Sequence, residues 1–309
     1  MITKTNPIIF IVGPTAVGKS EVGILFAQKL NGEIVSCDAM QVYHQINIAS
    51  AKPTSDQLAA VRHHCLNVVS VTEEYNVAQY RKAAVGAIEN IVAKGSRPIV
   101  VGGSGMYMSV LLDGIFETSA KNDVLRAQLE EQVKEQGLQV LYERLQKLDA
   151  QAAAKIHAND AKRIVRALEV ILSTKEPISK LQQQRQGLWG QYPIKIVGLN
   201  RPREELYHRV EARVDQMFQE GLVEEIKEIS TLPLSSSAKT LMGIPEVQGY
   251  LQGEYDLNQA KYLMKLNTRH YVKRQLTWFR RDKRIEWMEM GRSVLETVER
   301  IILNERNSA

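Results

Sequence analysis

The sequence predicts an α/β protein: a parallel sheet covered by helices and interrupted by an α-helical insertion. Three observations lead there. Short runs of β-branched and apolar residues recur along the chain with helical patterns between most of them. The first run is followed at once by "GPTAVGKS", which opens a helical-looking stretch. A long strand-poor segment separates the fourth run from the fifth.

Five runs read as buried strands: 8–12, 33–38, 66–70, 97–103 and 194–199. Helices between such runs imply right-handed βαβ units and a sheet covered on both faces. Ligands of such sheets bind beyond the carboxyl ends of the strands. That edge should carry residues 13–20, Asp38 and residues 102–107.

Residues 123–181 are helical in pattern. One helix should start at Asn122 or Asp123 and stop at Gly137, and a second should be capped by Asn159 or Asp160. Residues 182–191 read as the return loop. Three further helices are expected over 203–219, 222–229 and 258–281. The organisation predicted is a core in two pieces, 1–118 and 191–309, around an insertion at 119–190. Basic helices would close the second piece.

The bulk properties exclude several classes. The 309 residues suffice for one large domain or two, and 44% hydrophobic with 24% charged content is that of an ordinary globular chain. No apolar run approaches the ~20 residues that span a bilayer. The start of the chain lacks a cleavable h-region pattern. A cytoplasmic, membrane-free protein is expected, acting as a monomer. Two cysteines, Cys37 and Cys65, provide neither a disulfide scaffold nor a four-cysteine zinc site. The six histidines show no metal-ligand spacing; the cluster from Arg62 to Cys65 (RHHC) is a possible ligand set but not the favoured reading.

Residues Gly13, Pro14, Thr15, Ala16, Val17, Gly18, Lys19 and Ser20 fit G-x-x-x-x-G-K-[ST] between a strand and a helix. The sheet is therefore expected to be of the P-loop type. Backbone N–H groups of such a loop face an anion, Lys19 adds charge, and Ser20 can hold a Mg²⁺. The second half of a nucleotide-hydrolysing site, a strand ending in a metal-binding Asp, is not where it usually stands. Only the run 33–38 ends that way, in Asp38. Asp38 reads as metal ligand, general base or helix cap. "GGSGMY" at 102–107 brings flexible backbone and the Ser104 hydroxyl to the same edge.

Charge is unevenly placed. The net charge is +5, yet Arg269, Lys273, Arg274, Arg280, Arg281, Lys283 and Arg284 crowd a segment whose one acid is Asp282. Such clustering suggests a polyanion or a solvated face. As a helix over 267–284, Val272, Leu276 and Phe279 form an apolar stripe, while Arg269, Lys273, Thr277, Arg280 and Arg284 form another. Tyr271 and Trp278 stand among the cations, as aromatics do where bases stack, although Trp278 suits a core equally. "AKRIVRALEV" repeats the idea: Arg163 and Arg166 share one edge, with Ile164, Val165, Leu168 and Ile171 on the buried side.

These motifs, in this order, resemble the bacterial tRNA dimethylallyltransferase (tRNA isopentenyltransferase) family. "GPTAVGKS" is similar to its phosphate loop, and "DAMQVY" followed by "IASAKP" to its D-S-x-Q-V-Y and I-G-T-A-K-P. "GGSGMY" looks like G-G-T-x-x-Y, "RIVRALEV" like R-x-x-R-A-L-E-V, and "TRHYVKRQLTWFRR" like T-R-x-Y-A-K-R-Q-x-T-W-F-R. The likeness spans essentially the whole chain. Two departures stand out. Arg62-His63-His64 stands where the family has P-H-H, with "CLN" in place of L-I-D, and "GIPE" replaces G-Y-[RK]-E, so that Pro245 takes the place of a basic residue. Lys239 is a candidate for compensating it.

The resemblance implies transfer of a dimethylallyl group from dimethylallyl diphosphate to N6 of the adenosine at position 37, next to the tRNA anticodon, with Mg²⁺ as cofactor. The loop 13–20 would hold the diphosphate, with Ser20 on the metal. Asp38 would accept the N6 proton, and Ser104 would orient the reacting groups. Asp38, Ala39, Met40, Gln41, Ser104, Arg126, Lys162, Arg163, Ile164, Val165 and Arg166 match RNA-contacting positions. Arg269, Lys273, Arg274, Gln275, Trp278, Arg280 and Arg281 would add a grip from the C-terminal helix. From residues alone, a small-molecule P-loop kinase and an RNA-binding module with a vestigial loop remain open. So does a transferase that prenylates free adenine nucleotides.

Overall fold

The structure, a computed structural model, describes residues 6–116 and 122–306; the expected boundary at 118/119 lies outside them. Six parallel strands form one sheet: β1 (Ile8–Val12), β2 (Gly32–Ser36), β3 (His63–His64), β4 (Arg97–Gly102), β5 (Ile194–Asn200) and β6 (Ile285–Glu289). Their order is β3-β2-β4-β1-β5-β6. β1 lies between β4 and β5 in register Ile9↔Ile99 and Ile9↔Lys195, and every one of its residues is buried. A strand covered on both faces has no polar face to show, which is why "IIFIV" is apolar throughout.

The strand order fixes where a ligand goes. After β1 the chain crosses towards β2, and after β4 it leaves for β5 on the other side of β1. The loops after these adjacent strands diverge, and the crevice between them is the topological switch point.

Two strand expectations are corrected. The third strand is His63–His64, paired to Ile34 and Val35, and not 66–70. Cys65 and Asn67 have φ of 60° and 52°, which breaks an extended run, and Val69 makes only an isolated bridge to Tyr43. The sixth strand is an addition to the five expected. "IEWME" carries two glutamates in five residues and reads as a strand only through its pairing with β5.

Helices Arg203–Gln219 and Leu222–Ile229 form as expected. The last basic helix spans Leu257–Phe279 and does not run on to residue 284. Arg280 is its C-cap, and Asp282 then accepts from the Arg284 backbone N–H (3.0 Å) in the turn leading to β6. Arg284 therefore leaves the basic stripe: its guanidinium pairs with Asp282 (2.7 Å) and lies over the Trp189 ring.

The chain separates into two compact units. One joins the segments up to Leu112 and from Leu188, and the other is Asp113–Gly187. Within the first unit, Leu188 and Trp189 donate backbone N–H groups to the Leu111 and Leu112 carbonyls (2.8 and 3.0 Å), so its two segments meet there. The second unit has its own core around Leu129, Leu141, Leu145, Ile164 and Leu168. Asn122 caps helix Asp123–Gln136, and Asp160 caps helix Ala161–Thr174. Among the described residues no helix is long and apolar enough to cross a membrane.

The start of β4 is tied to the last helix, Val294–Arg306, by a buried pair. Arg97 donates to Glu305 and, through Nε, to the Pro7 carbonyl (3.1 Å). Removing one partner strands a buried charge. Arg97→Met should lower unfolding stability by about 3–5 kcal/mol, and Arg97→Met/Glu305→Leu should recover most of it in urea melts. If the double variant is no better than the single one, the pair does not anchor the helix.

Candidate active site

β1 ends in Gly13, with φ +147°, and a Cβ there would lie 2.6 Å from the Leu199 carbonyl oxygen of β5. Ala16 (φ 62°) and Gly18 (φ 106°) then turn the backbone so that helix Lys19–Lys29 starts beneath the loop. This gives the loop N–H groups and a helix N-terminus a common direction. The Lys19 amine folds back onto the Pro14 carbonyl at 2.7 Å. Burial pulls its pKa down to about 8, with Asp38 opposing that shift and Arg213 adding to it.

Three arginines outside the sequence motifs converge on the same loop. Arg201 Nε donates to the Val17 carbonyl (3.0 Å) and Arg209 Nε to the Ala16 carbonyl (2.8 Å). Arg213 lines the cavity beside them, and burial lowers its pKa while Asp38 opposes the change. Arg209 and Arg213 share one face of helix Arg203–Gln219 at a spacing of four. That spacing is visible in "HRVEAR"; its direction towards the loop is not.

Asp38 stands two residues past β2, and its Oδ1 accepts the Met40 N–H at 2.9 Å. It caps a turn, not a helix, and it lines the cavity with Lys19 and Arg213. The β4 loop is stitched to it: Ser104 N–H donates to the Cys37 carbonyl (3.1 Å), and Ser104 Oγ accepts from Ala39 N–H (2.9 Å). Ser104 is thus nearly buried and shapes the backbone that carries Asp38. Gln41 accepts from Ser36 Oγ (2.9 Å) and donates to the Ala51 carbonyl (3.3 Å), so its amide holds the loop that follows β2.

Gln275 is buried, contrary to a surface role. Its Oε1 accepts the Thr15 N–H at 2.8 Å and its Nε2 donates to the Gly103 carbonyl at 2.9 Å. One side chain therefore bridges the loops after β1 and β4, and its amide is committed to protein rather than to an RNA. Trp278, one turn on, packs its indole against Gly105; a Cβ on Gly105 would lie 2.3 Å from Trp278 Cδ1. It is half-buried, which combines the core reading with one open edge.

The loops enclose a cavity of about 1140 Å³. Its basic end holds Lys19, Arg209 and Arg213, and Met217, Met242 and Met264 line it elsewhere. Tyr271 and Arg274 also line it, with the Arg274 guanidinium over the Tyr271 ring. Pro245 lines the cavity and brings no charge; Lys52 lines it as well, whereas Lys239 is not among its lining residues.

The remaining expected contact residues divide. Lys162, Arg163, Lys273, Arg280 and Arg281 are exposed. Arg269 pairs with Glu211 (3.0 Å), and Arg126 and Arg166 pair with Glu169 (2.7 and 3.0 Å). Ile164 and Val165 are core residues of the second unit, so their side chains face no ligand. Among the described residues no group of three or more His, Cys, Asp or Glu side chains could hold a metal. Ser20 is exposed on the cavity wall, with Glu21 and Asp38 also lining it. These hard oxygen donors suit a Mg²⁺ that takes its other ligands from phosphate and water.

Loop, sheet and crevice together define a P-loop-type α/β protein with a cavity whose loop end is lined by Lys19, Arg209 and Arg213. The family model described as IPP transferase matches residues 41–282. The chain is 42% identical over 303 residues to a tRNA dimethylallyltransferase of Carboxydothermus hydrogenoformans, covering 97% of each. It is 40% identical to that of Geobacter sulfurreducens, covering 93% of each. Its structure resembles the tRNA isopentenylpyrophosphate transferase of Bacillus halodurans (TM-score 0.72, 34% identity, 98% of each chain). It also resembles a eukaryotic dimethylallyltransferase acting on tRNA (TM-score 0.79, 30% identity, 92% of this chain and 74% of that one). The chain belongs to the IPP transferase family.

Gln275→Leu leaves the part-buried Thr15 N–H without its partner and strands a buried carbonyl at Gly103, the latter at a cost of about 1–3 kcal/mol. The expected result is a lower melting temperature together with weaker binding of inorganic diphosphate by calorimetry. Unchanged diphosphate affinity would mean that the loop holds its shape without the bridge.

Proposed function

We propose that the protein transfers a dimethylallyl group from dimethylallyl diphosphate to N6 of adenosine 37 of tRNA and releases diphosphate. The observation that carries this reading is the placement of Asp38 in the same cavity as the phosphate loop and its arginines. A prenyl transfer needs both ends of that arrangement. The N6 amine attacks the allylic carbon, the carbon–oxygen bond breaks, and the electron pair leaves with diphosphate. The loop N–H groups, Lys19 and Arg213 stabilise the negative charge growing on the leaving oxygen. Asp38 takes the N6 proton, since the amine is a weak nucleophile whose lone pair is delocalised into the ring. Ser104, through Ala39, fixes the backbone from which Asp38 projects.

Ser20 would hold a Mg²⁺, which supplies further charge neutralisation of the diphosphate when bound. No water has to be activated, so a hydrolytic Asp on the strand beside β1 has no task. The target adenine has to leave its stack to reach the crevice. The exposed cations Lys162, Arg163, Lys273, Arg280 and Arg281 serve the RNA backbone. The enzyme works in the cytoplasm as a monomer.

The direct test is to incubate the protein with dimethylallyl diphosphate, Mg²⁺ and unmodified tRNA, then digest the RNA and look for isopentenyladenosine. Its absence, with ATP-dependent phosphorylation of a small acceptor instead, would support the kinase reading. Asp38→Asn should retain tRNA and diphosphate binding and reduce turnover by roughly 10²–10⁴-fold. Near-normal turnover removes Asp38 from the role of base. Lys273→Ala/Arg280→Ala should flatten the dependence of log affinity for tRNA on log salt by about 0.7–0.9 for each phosphate that is no longer neutralised. Coinciding slopes would show that this face is only solvated surface.

A further inference from the structure

The helical unit holds a buried acid between two of the arginines expected to meet RNA. Glu169 is fully buried, with a relative exposure of 0%. Its Oε1 accepts the Asn122 N–H at 3.1 Å. Its Oε2 accepts from Arg126 through Nε (3.1 Å) and Nη2 (2.7 Å), and from Arg166 through Nη1 (3.0 Å). The two guanidiniums come from different helices, Asp123–Gln136 and Ala161–Thr174, and remain 35% and 40% exposed. Burial pushes the Glu169 carboxyl up, but the arginines and the Asn122 N–H outweigh it and hold it below its ordinary value, so it is charged at neutral pH.

Two cations on one carboxylate leave the cluster with a net positive charge. Two guanidiniums side by side repel each other, and a shared anion beneath them removes that penalty. Arginine keeps donors on several edges of a rigid plane, so one edge can serve Glu169 while another serves a second anion. We propose that Glu169 is a positioning residue for RNA: it holds Arg126 and Arg166 as a paired fork for a phosphate of the polynucleotide backbone. This rests on the tRNA reading above. Because the ligand is a backbone phosphate, the fork sets register and affinity, not base choice.

The sign of one substitution separates this from a bystander role. A carboxylate near a polyanion repels it, so Glu169→Gln would strengthen tRNA binding if charge alone mattered. If Glu169 organises the fork, the same change weakens it. With the full chain and unmodified tRNA transcripts, Glu169→Gln should raise the KM for tRNA about tenfold, the size of one charge-assisted contact. The KM for dimethylallyl diphosphate should stay put. Arg126→Gln/Glu169→Gln should lose less affinity for tRNA than the sum of the two single losses, because both substitutions act on one fork.

Arg126→Lys, at a half-exposed position, keeps the charge but removes the fork, and should also weaken tRNA binding. It decides the matter should Glu169→Gln fail to fold. Equal or tighter tRNA binding by a folded Glu169→Gln, additive losses in the double variant, or wild-type affinity in Arg126→Lys overturns the inference. A wild-type protein that neither binds nor prenylates tRNA overturns the functional reading itself, and the two failures are thereby distinct.

Discussion

The site depends on how β1 ends. A strand buried on both faces, wedged between β4 and β5, delivers the chain to one point at the sheet edge and turns it sharply there. The turn requires a residue without a side chain at Gly13, since the Leu199 carbonyl occupies the space of a Cβ. From that constraint follow the loop and the start of helix Lys19–Lys29. The neighbouring β4 loop is held to it by the Gln275 amide and to the end of β2 by Ser104. Three loops from three strands thus act as one piece, which is what a pre-organised transition-state cradle requires.

The electrostatics of the cavity follow from the same packing. Lys19, Arg209 and Arg213 are crowded around the loop, and burial pulls the Lys19 amine down to about 8. Three cations in one buried place outnumber the carboxylate set against them, which leaves the end of the cavity beside the loop basic. Asp38 is the acid that faces this cluster, and it is placed by a two-residue turn.

The basic residues of this chain are not one population. Arg97 is buried and structural, and Arg284 is committed to Asp282. Arg126 and Arg166 are paired yet half-exposed, and Lys273, Arg280 and Arg281 face solvent. A count of positive charge from residue 269 to 284 merges groups with different tasks. Exposure and partners separate them.

By itself the sequence determined the phosphate loop, the strands at its edge, Asp38, the helix end at Gly137 and, to within one residue, the helix starts at 122–123 and 159–160. Each is a local matter: a glycine pattern fixes backbone turns, a capping side chain fixes a helix start, and an apolar run buries on both faces. Tertiary structure decided the rest. β6 is a strand because β5 pairs with it, and the run 66–70 is not one because Cys65 and Asn67 turn left-handed. Arg209 and Arg213 reach the loop only because helix Arg203–Gln219, far along the chain from it, is packed across it. Gln275 belongs by sequence to a basic surface, yet it faces inward and joins two loops. Side-chain direction relative to a distant element is set by packing, and no local pattern encodes it.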